Sequence, residues 1–223
     1  DDPTGSTATT PAYGRGFHME SQMGSKSTTT TCTPTAVDAD GVCASQSPGA
    51  GAILINGELA TAGVATFGAA QLVRLTSGGD DAALFFTFVG TDADGNAQTQ
   101  TVAGTNASNT DTTLFFKTIT SITHTGSVAT TVLVGNLITS VSPTLKVDTG
   151  INPVNIALVA ELVSGTSTFD INVTYGDNNA YPALWSDHAS IASKSATTYG
   201  SQTIPVAGFR VKCTASSSGV VRL

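Results

Sequence analysis

Short segments in which apolar and polar residues alternate are the feature that most constrains the fold. The clearest example is STFDINVTY, near the C-terminal end of the chain. Its apolar positions are Phe169, Ile171, Val173 and Tyr175. A period of two places these side chains on one face of a β-strand, and the polar residues between them predict a second face exposed to water. The sequence therefore predicts a half-buried antiparallel strand here.

Similar segments recur from Ala52 onward, separated by turn residues. They include AAQLVRLT, ALFFTFVG, TTLFFKTITSITH, TTVLVGNLI, GFRVKCTA and GVVRL. Within ALFFTFVG, the side chains of Leu84, Phe86 and Phe88 are expected on one face. The dipeptides Asn56-Gly57 and Asp94-Gly95 each predict a β-hairpin. No window has the period of an amphipathic helix, so the predicted fold class is all-β.

The spacing of these segments predicts two antiparallel β-sandwich-like domains. The first spans residues 49–141, and the second spans residues 142–223, after the Ser142-Pro143 step. The total of 223 residues fits one large β domain or two small ones.

Residues 1–48 differ from the rest because they are rich in Thr, Ser, Gly and Pro and have few aliphatic residues. Such a segment buries too little apolar surface to offset the entropy lost on ordering. We expect either an unordered leader or an extended N-terminal arm that becomes ordered on a neighbouring subunit. The isolated residues Tyr13, Phe17, Met19 and Met23 favour the arm, since each could anchor it in a pocket.

The composition excludes two classes of partner. Charged residues make up only 11% of the chain, against roughly 25% in typical soluble domains. The net charge is −7 and the nine Lys and Arg residues form no cluster, which argues against nucleic-acid binding. The longest apolar run, at residues 156–163, is shorter than the ~20 residues of a membrane-spanning helix. A surface of Thr, Ser, Asn and Gly instead suits contact with other protein subunits.

Three cysteines are too few, and odd in number, for a disulfide framework. Cys213 alternates in phase with Phe209 and Val211, which predicts a buried thiol. Cys32 and Cys43 lie close together in a polar region, and the sequence leaves open whether they form a disulfide.

One acidic turn has part of the pattern of a calcium site. Asp92, Asp94 and Asn96 match D-x-D-x-N, the beginning of an EF-hand loop. The position of the bidentate acid holds Ala103, however, and the flanking segments are strands. Asp and Gly are also common in tight turns, so we interpret this segment as a bend without a metal.

The segment LWSDHA contains Ser186, Asp187 and His188 side by side, after Trp185. A hydrolytic triad is usually assembled from separate parts of a chain, and consecutive residues of an extended backbone point in different directions. The segment is therefore interpreted as a loop with a packed Trp and a solvated His. His18 and His124 lie far away in sequence. We expect no catalytic, cofactor-binding or metal site, and hence no enzyme.

The order of several motifs resembles a known family. LTSGGDDAALFFTFVGTDADGNAQTQTVAG, followed by FFKTITSITHTG, is similar to a module of virion structural proteins from tailed bacteriophages. The segments NPVNIALVAELVSGTSTFDINVTYGD, ALWSDHASIASKSA and IPVAGFRVKCTASSSGVVRL also resemble such proteins. The resemblance covers residues 53–223 and leaves the arm outside it.

This resemblance implies a non-enzymatic component on the outer surface of a virion, assembled in the host cytoplasm. The expected function is that of a capsid decoration or cement protein, bound to the major capsid protein and self-associated as a trimer or dimer. The alternatives are a neck, tail, baseplate or spike component, or a receptor- or carbohydrate-binding β-sandwich. In the last case, Trp185, Tyr175, Tyr181 and Tyr199 could stack on sugars, although packing is the simpler role for them.

Overall fold

The computed structural model describes residues 28–147, 155–176 and 184–223, without the side chains of residues 216–218. These residues form β-strands and no helix, which confirms the predicted all-β class. The strands are β1 Thr31–Cys32, β2 Cys43–Gln46, β3 Gly51–Ala52, β4 Ala60–Thr61, β5 Val64–Ser77, β6 Phe85–Thr91, β7 Ala97–Ala103, β8 Asn109–Asp111, β9 Phe116–His124, β10 Val132–Val141, β11 Leu145–Lys146, β12 Ile156–Thr174, β13 Ser186–Asp187, β14 Thr198–Gln202 and β15 Gly208–Arg222.

The main hydrogen-bonded path runs in the order β13-β12-β15-β10-β5-β9-β6-β7, in which only β13 is short, and every pair is antiparallel. The short strands add to this path, β1 and β11 on β15, β14 on β12, β2 on β10, β3 on β9, and β4 and β8 on β5. Strand β10 has a central place, because it pairs with β5 along most of its length and with β15 at Ser140 and Val141.

Two separate clusters of buried apolar side chains stabilise the described chain. The first core includes Phe67, Phe86, Phe88, Phe116, Ile119 and Ile122. The second core includes Phe169, Ile171, Ile191, Phe209, Val211 and Cys213. Full burial of each such side chain contributes roughly 1.5–3 kcal/mol of transfer free energy. Phe86 and Phe88 lie in the first core, with Leu84 packed against it, as the alternation in ALFFTFVG predicts.

The two cores do not map simply onto residues 49–141 and 142–223. Ala69, from β5, belongs to the second core. Ser142, at the predicted boundary, is fully buried, and its backbone and hydroxyl make two hydrogen bonds of 2.9 Å with the backbone of Val211. The division into two sandwich domains therefore stays a prediction, because paired strands continue across the proposed boundary.

The segment of residues 28–48, called here the N-terminal segment, packs on its own chain and contributes to both cores. Cys32 pairs with Val221 and lies in the second core. Val42 and Cys43 are fully buried in the first core. The prediction that residues 1–48 need a neighbouring subunit for order is therefore wrong for residues 28–48, because their few apolar residues are placed where both cores need them. Residues 1–27 of the predicted arm lie outside the described residues.

Two glycines make room for the N-terminal segment. A Cβ on Gly68 of β5 would lie 2.5 Å from the carbonyl oxygen of Thr33, and a Cβ on Gly135 of β10 would lie 2.1 Å from that of Asp38. Both distances are far below van der Waals contact, so any larger residue would push the segment away. The absence of a side chain at these two positions of β5 and β10 therefore leaves space for the backbone of the N-terminal segment.

Of the two predicted hairpins, one is confirmed and one is displaced. Asp94-Gly95 joins β6 to β7 in full antiparallel register, with Gly95 at a φ of 84°. Asn56-Gly57 does not join two strands. The adjacent hairpin joins β4 to β5 at Ala62 and Gly63, whose φ angles are 52° and 79°. Two positive φ values are the geometry of a type I′ turn, the preferred two-residue hairpin connection.

The polar face at the C-terminal end of β12 also differs from its prediction. Phe169, Ile171 and Val173 face the second core as expected, whereas Tyr175 is exposed. The polar positions between them were expected to be solvated, but Asp170, Asn172 and Thr174 are buried. Their face is covered because the chain returns along the edge of β12, where Ser193 N–H donates to Asp170 at 2.7 Å and Asn172 donates to Asp187 at 2.6 Å.

Candidate interaction surface

Strands β14, β12, β15 and β1 lie side by side and present one exposed face. Val159 lies opposite Tyr199 on β14, and Glu161 lies opposite Arg222 on β15. Arg222 in turn lies opposite Thr31 on β1. We call these residues, together with Val163, the outer face.

The period-two pattern of β12 explains why apolar side chains are exposed there. Leu158 and Ala160 point into the second core. The positions between them must then point outward, and Val159 and Val163 are each 47% exposed. Tyr199 is 73% exposed, directly opposite Val159. Neighbouring exposed apolar side chains of this kind are typical of protein interaction sites.

The only charges among the outer-face residues are paired with each other. Arg222 donates from Nε to Glu161 Oε2 at 3.1 Å, and its Nη2 contacts the same oxygen. Both side chains are nearly half exposed, so the pair contributes about 0–1 kcal/mol to stability. Its larger effect is to leave the face without net charge, which reduces the cost of burying it against a partner.

The N-terminal segment begins at the edge of this face. Thr30 and Leu223 exchange two backbone hydrogen bonds of 2.9 Å, and Thr31 follows on β1. The first described residues therefore lie beside the outer face. Tyr13, Phe17, Met19 and Met23, proposed as anchors, lie outside the described residues.

The acidic turn of β6 and β7 uses its carboxylates within the protein. Asp92 Oδ1 accepts from the N–H groups of Asp94 and Asn96 at 2.9 and 2.8 Å, and Oδ2 accepts from Asn96 Nδ2 at 3.0 Å. The side chain of Asp94 points elsewhere and accepts from the N–H and hydroxyl of Thr144 at 2.7 and 2.6 Å. In the described parts of the chain, no three His, Cys, Asp or Glu residues are placed to hold a metal ion.

Arg210 contacts residues from both sides of the proposed boundary at residue 142. We call the residues up to 141 the first half of the chain and those from 142 onward the second half. Its guanidinium carbon is 4.2 Å from the ring centre of Trp185 and 5.6 Å from that of Phe115, which belongs to the first half. Burial lowers the pKa of Arg210 to about 10, and the carboxylate of Asp94 acts in the opposite direction. Arg210 is charged at neutral pH and forms a cation–π contact with both rings.

The Ser186, Asp187 and His188 side chains are not assembled into a triad. Ser186 and Asp187 form β13 and are exposed, whereas His188 is buried. The imidazole Nδ1 lies 3.2 Å from the hydroxyl of Ser190, two residues further on. The prediction of a solvated His188 is therefore wrong, because its ring turns inward at the point where the chain passes along β12. Trp185 packs against Arg210, as expected of a packed Trp.

The three thiols are free and buried. Cys43 lies in the first core, and Cys32 and Cys213 lie in the second core. The disulfide between Cys32 and Cys43 that the sequence left open is not formed. Burial raises the pKa of Cys43 to about 12. Contact with the Cys213 thiol, together with burial, raises the pKa of Cys32 still further above its usual range.

His124 is a core residue of the first half. It stacks on Phe86 with 5.6 Å between ring centres, and its Nδ1 lies 2.6 Å from the carbonyl oxygen of Gly126. His18 lies outside the described residues. Among the aromatic residues considered for sugar binding, Tyr175 and Tyr199 are exposed, and Tyr181 lies outside the described residues.

Comparisons with protein-family models, with curated proteins and with solved structures found no match to this chain. In the described residues, no helix has the length and apolar character needed to cross a membrane.

Sequence reasoning missed the contacts that join the halves of the chain. The cover of Arg210 by Phe115 and Trp185 depends on residues about 95 and 25 positions away. The contact of Asp94 with Thr144 joins residues 50 positions apart. The one available signal was the low content of charged residues, which makes each charged side chain a candidate for a specific contact.

Proposed function

We propose that this chain is a non-enzymatic structural protein of a tailed-bacteriophage virion, a capsid decoration or cement protein bound to the outside of the major capsid shell. The observation that carries the proposal is the outer face, an exposed apolar surface without net charge that adjoins the first described residues. The family resemblance of residues 53–223 supports the same assignment.

The proposed mechanism is fastening through many modest contacts. The outer face and residues 1–27 bury surface against the major capsid protein and against neighbouring copies, as a trimer or dimer. Stable interfaces of this kind bury roughly 2,000 Å² or more in total. Repetition over the shell then resists internal pressure, because multivalent contacts dissociate only when several are lost together.

The N-terminal segment changes the design of the deletion experiment. Removing residues 1–48 would take Cys32, Val42 and Cys43 out of the two cores and unfold the protein. The informative variants are a deletion of residues 1–27 and Val159→Asp, which places an unpaired charge on the outer face. Leu54→Asp is the matched control, since Leu54 is 64% exposed but lies in the first half of the chain.

The measurement is the number of copies bound to particles that lack the protein. We expect the deletion and Val159→Asp to reduce occupancy at least about tenfold, as expected for a buried unpaired charge, and Leu54→Asp to bind normally. Full occupancy by both test variants would reject the mechanism. Hundreds of copies per particle support decoration, whereas some tens or fewer would indicate the neck, tail or baseplate.

A further inference from the structure

A cavity of about 310 Å³ opens on the second half of the chain, next to the β14 end of the outer face. It lies between the end of β12, the segment after β13 and the end of β14, and its lining includes Tyr175, Asp187, His188 and Ile204. Its volume is at the lower end of the roughly 300–1,000 Å³ typical of small-molecule sites. The space suits one ring-sized ligand.

One wall of the cavity is apolar and exposed. Tyr175 is 57% exposed and Ile204 is 61% exposed, although both are large apolar residues. Tyr175 breaks the pattern of β12, whose preceding members Ile171 and Val173 are buried in the second core. An exposed aromatic ring beside a cavity offers a flat apolar surface and a hydroxyl at its tip. This combination matches the C–H face and the hydroxyl groups of a sugar ring.

A fixed carboxylate lines the cavity beside this wall. Asp187 Oδ1 accepts from Asn172 Nδ2 at 2.6 Å, and Asn172 Oδ1 accepts from Arg210 Nε at 3.4 Å. These bonds hold the carboxylate in place. Oδ2 of Asp187 makes no hydrogen bond within the described residues, so it can accept from two hydroxyl groups of a ligand.

The other polar groups of the lining include an imidazole and hydroxyls. The Ser190 backbone N–H lies 3.4 Å from His188 Nδ1. The hydroxyls of Ser201 and Thr203 also line the cavity. Among the described residues that line the cavity there is no Lys or Arg beside this carboxylate, which disfavours an anionic ligand, and so does the net charge of −7.

We propose that this cavity binds a neutral hexose, with the sugar ring stacked on Tyr175 and two of its hydroxyls bonded to Asp187. The sugar is either free or the terminal unit of a glycan. Ser201 of the lining is two residues from Tyr199 of the outer face, but neither Tyr199 nor Val159 lines the cavity. Binding by the free protein therefore does not depend on where the protein sits on a particle. It goes beyond attachment to the shell, since it would let the protein adhere to glycans.

Saturation-transfer NMR of the full chain with glucose, galactose, mannose and N-acetylglucosamine tests the free sugars, and a glycan array tests terminal units. We expect binding of at least one hexose with a Kd in the millimolar range. Tyr175→Ala and Asp187→Asn should each weaken it at least about tenfold. In Asp187→Asn, the side-chain oxygen still accepts from Asn172 Nδ2, so we expect this variant to fold normally.

Two further variants separate a binding role from a structural one. Tyr175→Phe keeps the ring that stacks on the sugar and should retain most of the binding, losing only the contribution of the hydroxyl, and Phe85→Ala removes an exposed ring from the first half and should have no effect. Absence of binding to all four sugars and to the array would overturn the proposal. Equal binding by the wild type, Tyr175→Ala and Asp187→Asn would also overturn it. Loss of particle attachment would leave this result unchanged, so the two proposals fail independently.

Discussion

Gln71 and Thr35 bind each other through two hydrogen bonds that reproduce the pairing of adjacent β-strands. The Thr35 N–H donates to Gln71 Oε1 at 3.1 Å, and Gln71 Nε2 donates to the Thr35 carbonyl oxygen at 3.0 Å. The same Nε2 donates to the carbonyl oxygen of Leu137 at 2.7 Å. Gln71 is fully buried, so a side-chain amide attaches the N-terminal segment where no strand does so.

Replacing Gln71 with Leu should lower the free energy of unfolding by about 2 kcal/mol or more, because it leaves backbone groups of Thr35 and Leu137 without partners. Urea unfolding measures the change. Gln100→Leu is the matched control, since Gln100 also binds backbone N–H groups, in an exposed bond at Thr113 and a part-buried bond at Leu114, but is itself only half-buried. We expect less than about 1 kcal/mol there, because water can replace the amide. Equal losses in both variants would contradict the role given to Gln71.

Gly135→Ala should displace the N-terminal segment. The added Cβ would lie 2.1 Å from the carbonyl oxygen of Asp38, and both groups belong to paired backbone. We expect a loss of about 1–3 kcal/mol, typical of overpacking, together with faster proteolysis within residues 28–48. Gly49→Ala is the control, since no atom lies within 4 Å of its added Cβ. Unchanged stability in Gly135→Ala would show that the segment is not held against β10.

Asp92→Ala should destabilise the β6–β7 hairpin by about 1–2 kcal/mol, because three hydrogen bonds to its carboxylate are lost. Thermal unfolding measures this effect. Calcium in millimolar amounts and the chelator EDTA should leave the Tm of the wild type unchanged, since these oxygens already have partners. A calcium-dependent rise in Tm that Asp92→Ala abolishes would instead establish a metal site.

Arg210→Met should be visible in fluorescence, because Trp185 is the sole Trp of the chain. Loss of the cation at 4.2 Å exposes the indole to water and should shift its emission to longer wavelength. The cation–π contact is worth about 1–2 kcal/mol in a partly buried site. Arg74→Met is the control, since Arg74 pairs with Asp111 on the exposed surface. An identical emission spectrum in the Arg210 variant would reject the contact.

The thiols should make stability fall at alkaline pH. The pKa of Cys43 is raised from 9.0 to about 12 in the folded chain, so folding favours the protonated thiol. That contribution is complete below about pH 9 and is lost as the pH rises towards 12. Unfolding in urea at neutral pH and at about pH 10 should show a smaller decrease for Cys43→Ala than for the wild type. Equal decreases would contradict the prediction.

The same burial predicts the reactivity of all three cysteines. None should react with a thiol reagent in the folded protein at neutral pH, and all three should react after denaturation, since each has no exposed surface. If the denatured, unreduced protein had only one reactive thiol, two fewer than expected, a disulfide would be indicated. Any rapidly reacting thiol in the folded protein would contradict the described burial.

Local patterns predicted what depends on neighbours in sequence. The alternation in ALFFTFVG was sufficient to place Phe86 and Phe88 in a core, and Asp94-Gly95 was sufficient to place a hairpin. The failures depend on distant residues. Residues 28–48 have little apolar surface of their own, yet Gln71 and Asn136 supply the partners that their backbone needs. Asp170 and Asn172 were expected in water because no local signal shows that residues 186–194 return to cover them.

For the outer face, the sequence predicts the alternation of side chains along β12 but not which of the two sets points outward. A period of two in β12 makes either Leu158 or Val159 the inward residue, and the sequence around them is apolar at both positions. In the folded chain, Leu158 and Ala160 point inward because they pack with Phe169, Phe209 and the rest of the second core. The pairing of Glu161 with Arg222 then follows from the register of β12 and β15.

The position of Ser142 has a consequence for how such chains can be recombined. Its buried hydroxyl accepts from the backbone of β15, and β10 immediately before it pairs with both halves. A crossover between related genes at this point would combine residues up to Ser142 from one protein with a β15 from another, and the contacts between them would not be complementary. Recombination should therefore give a folded protein only when Ser142, Val211 and the strands paired with β10 come from the same parent. We expect such proteins to diverge by substitution along the whole chain and not by exchange of their two halves.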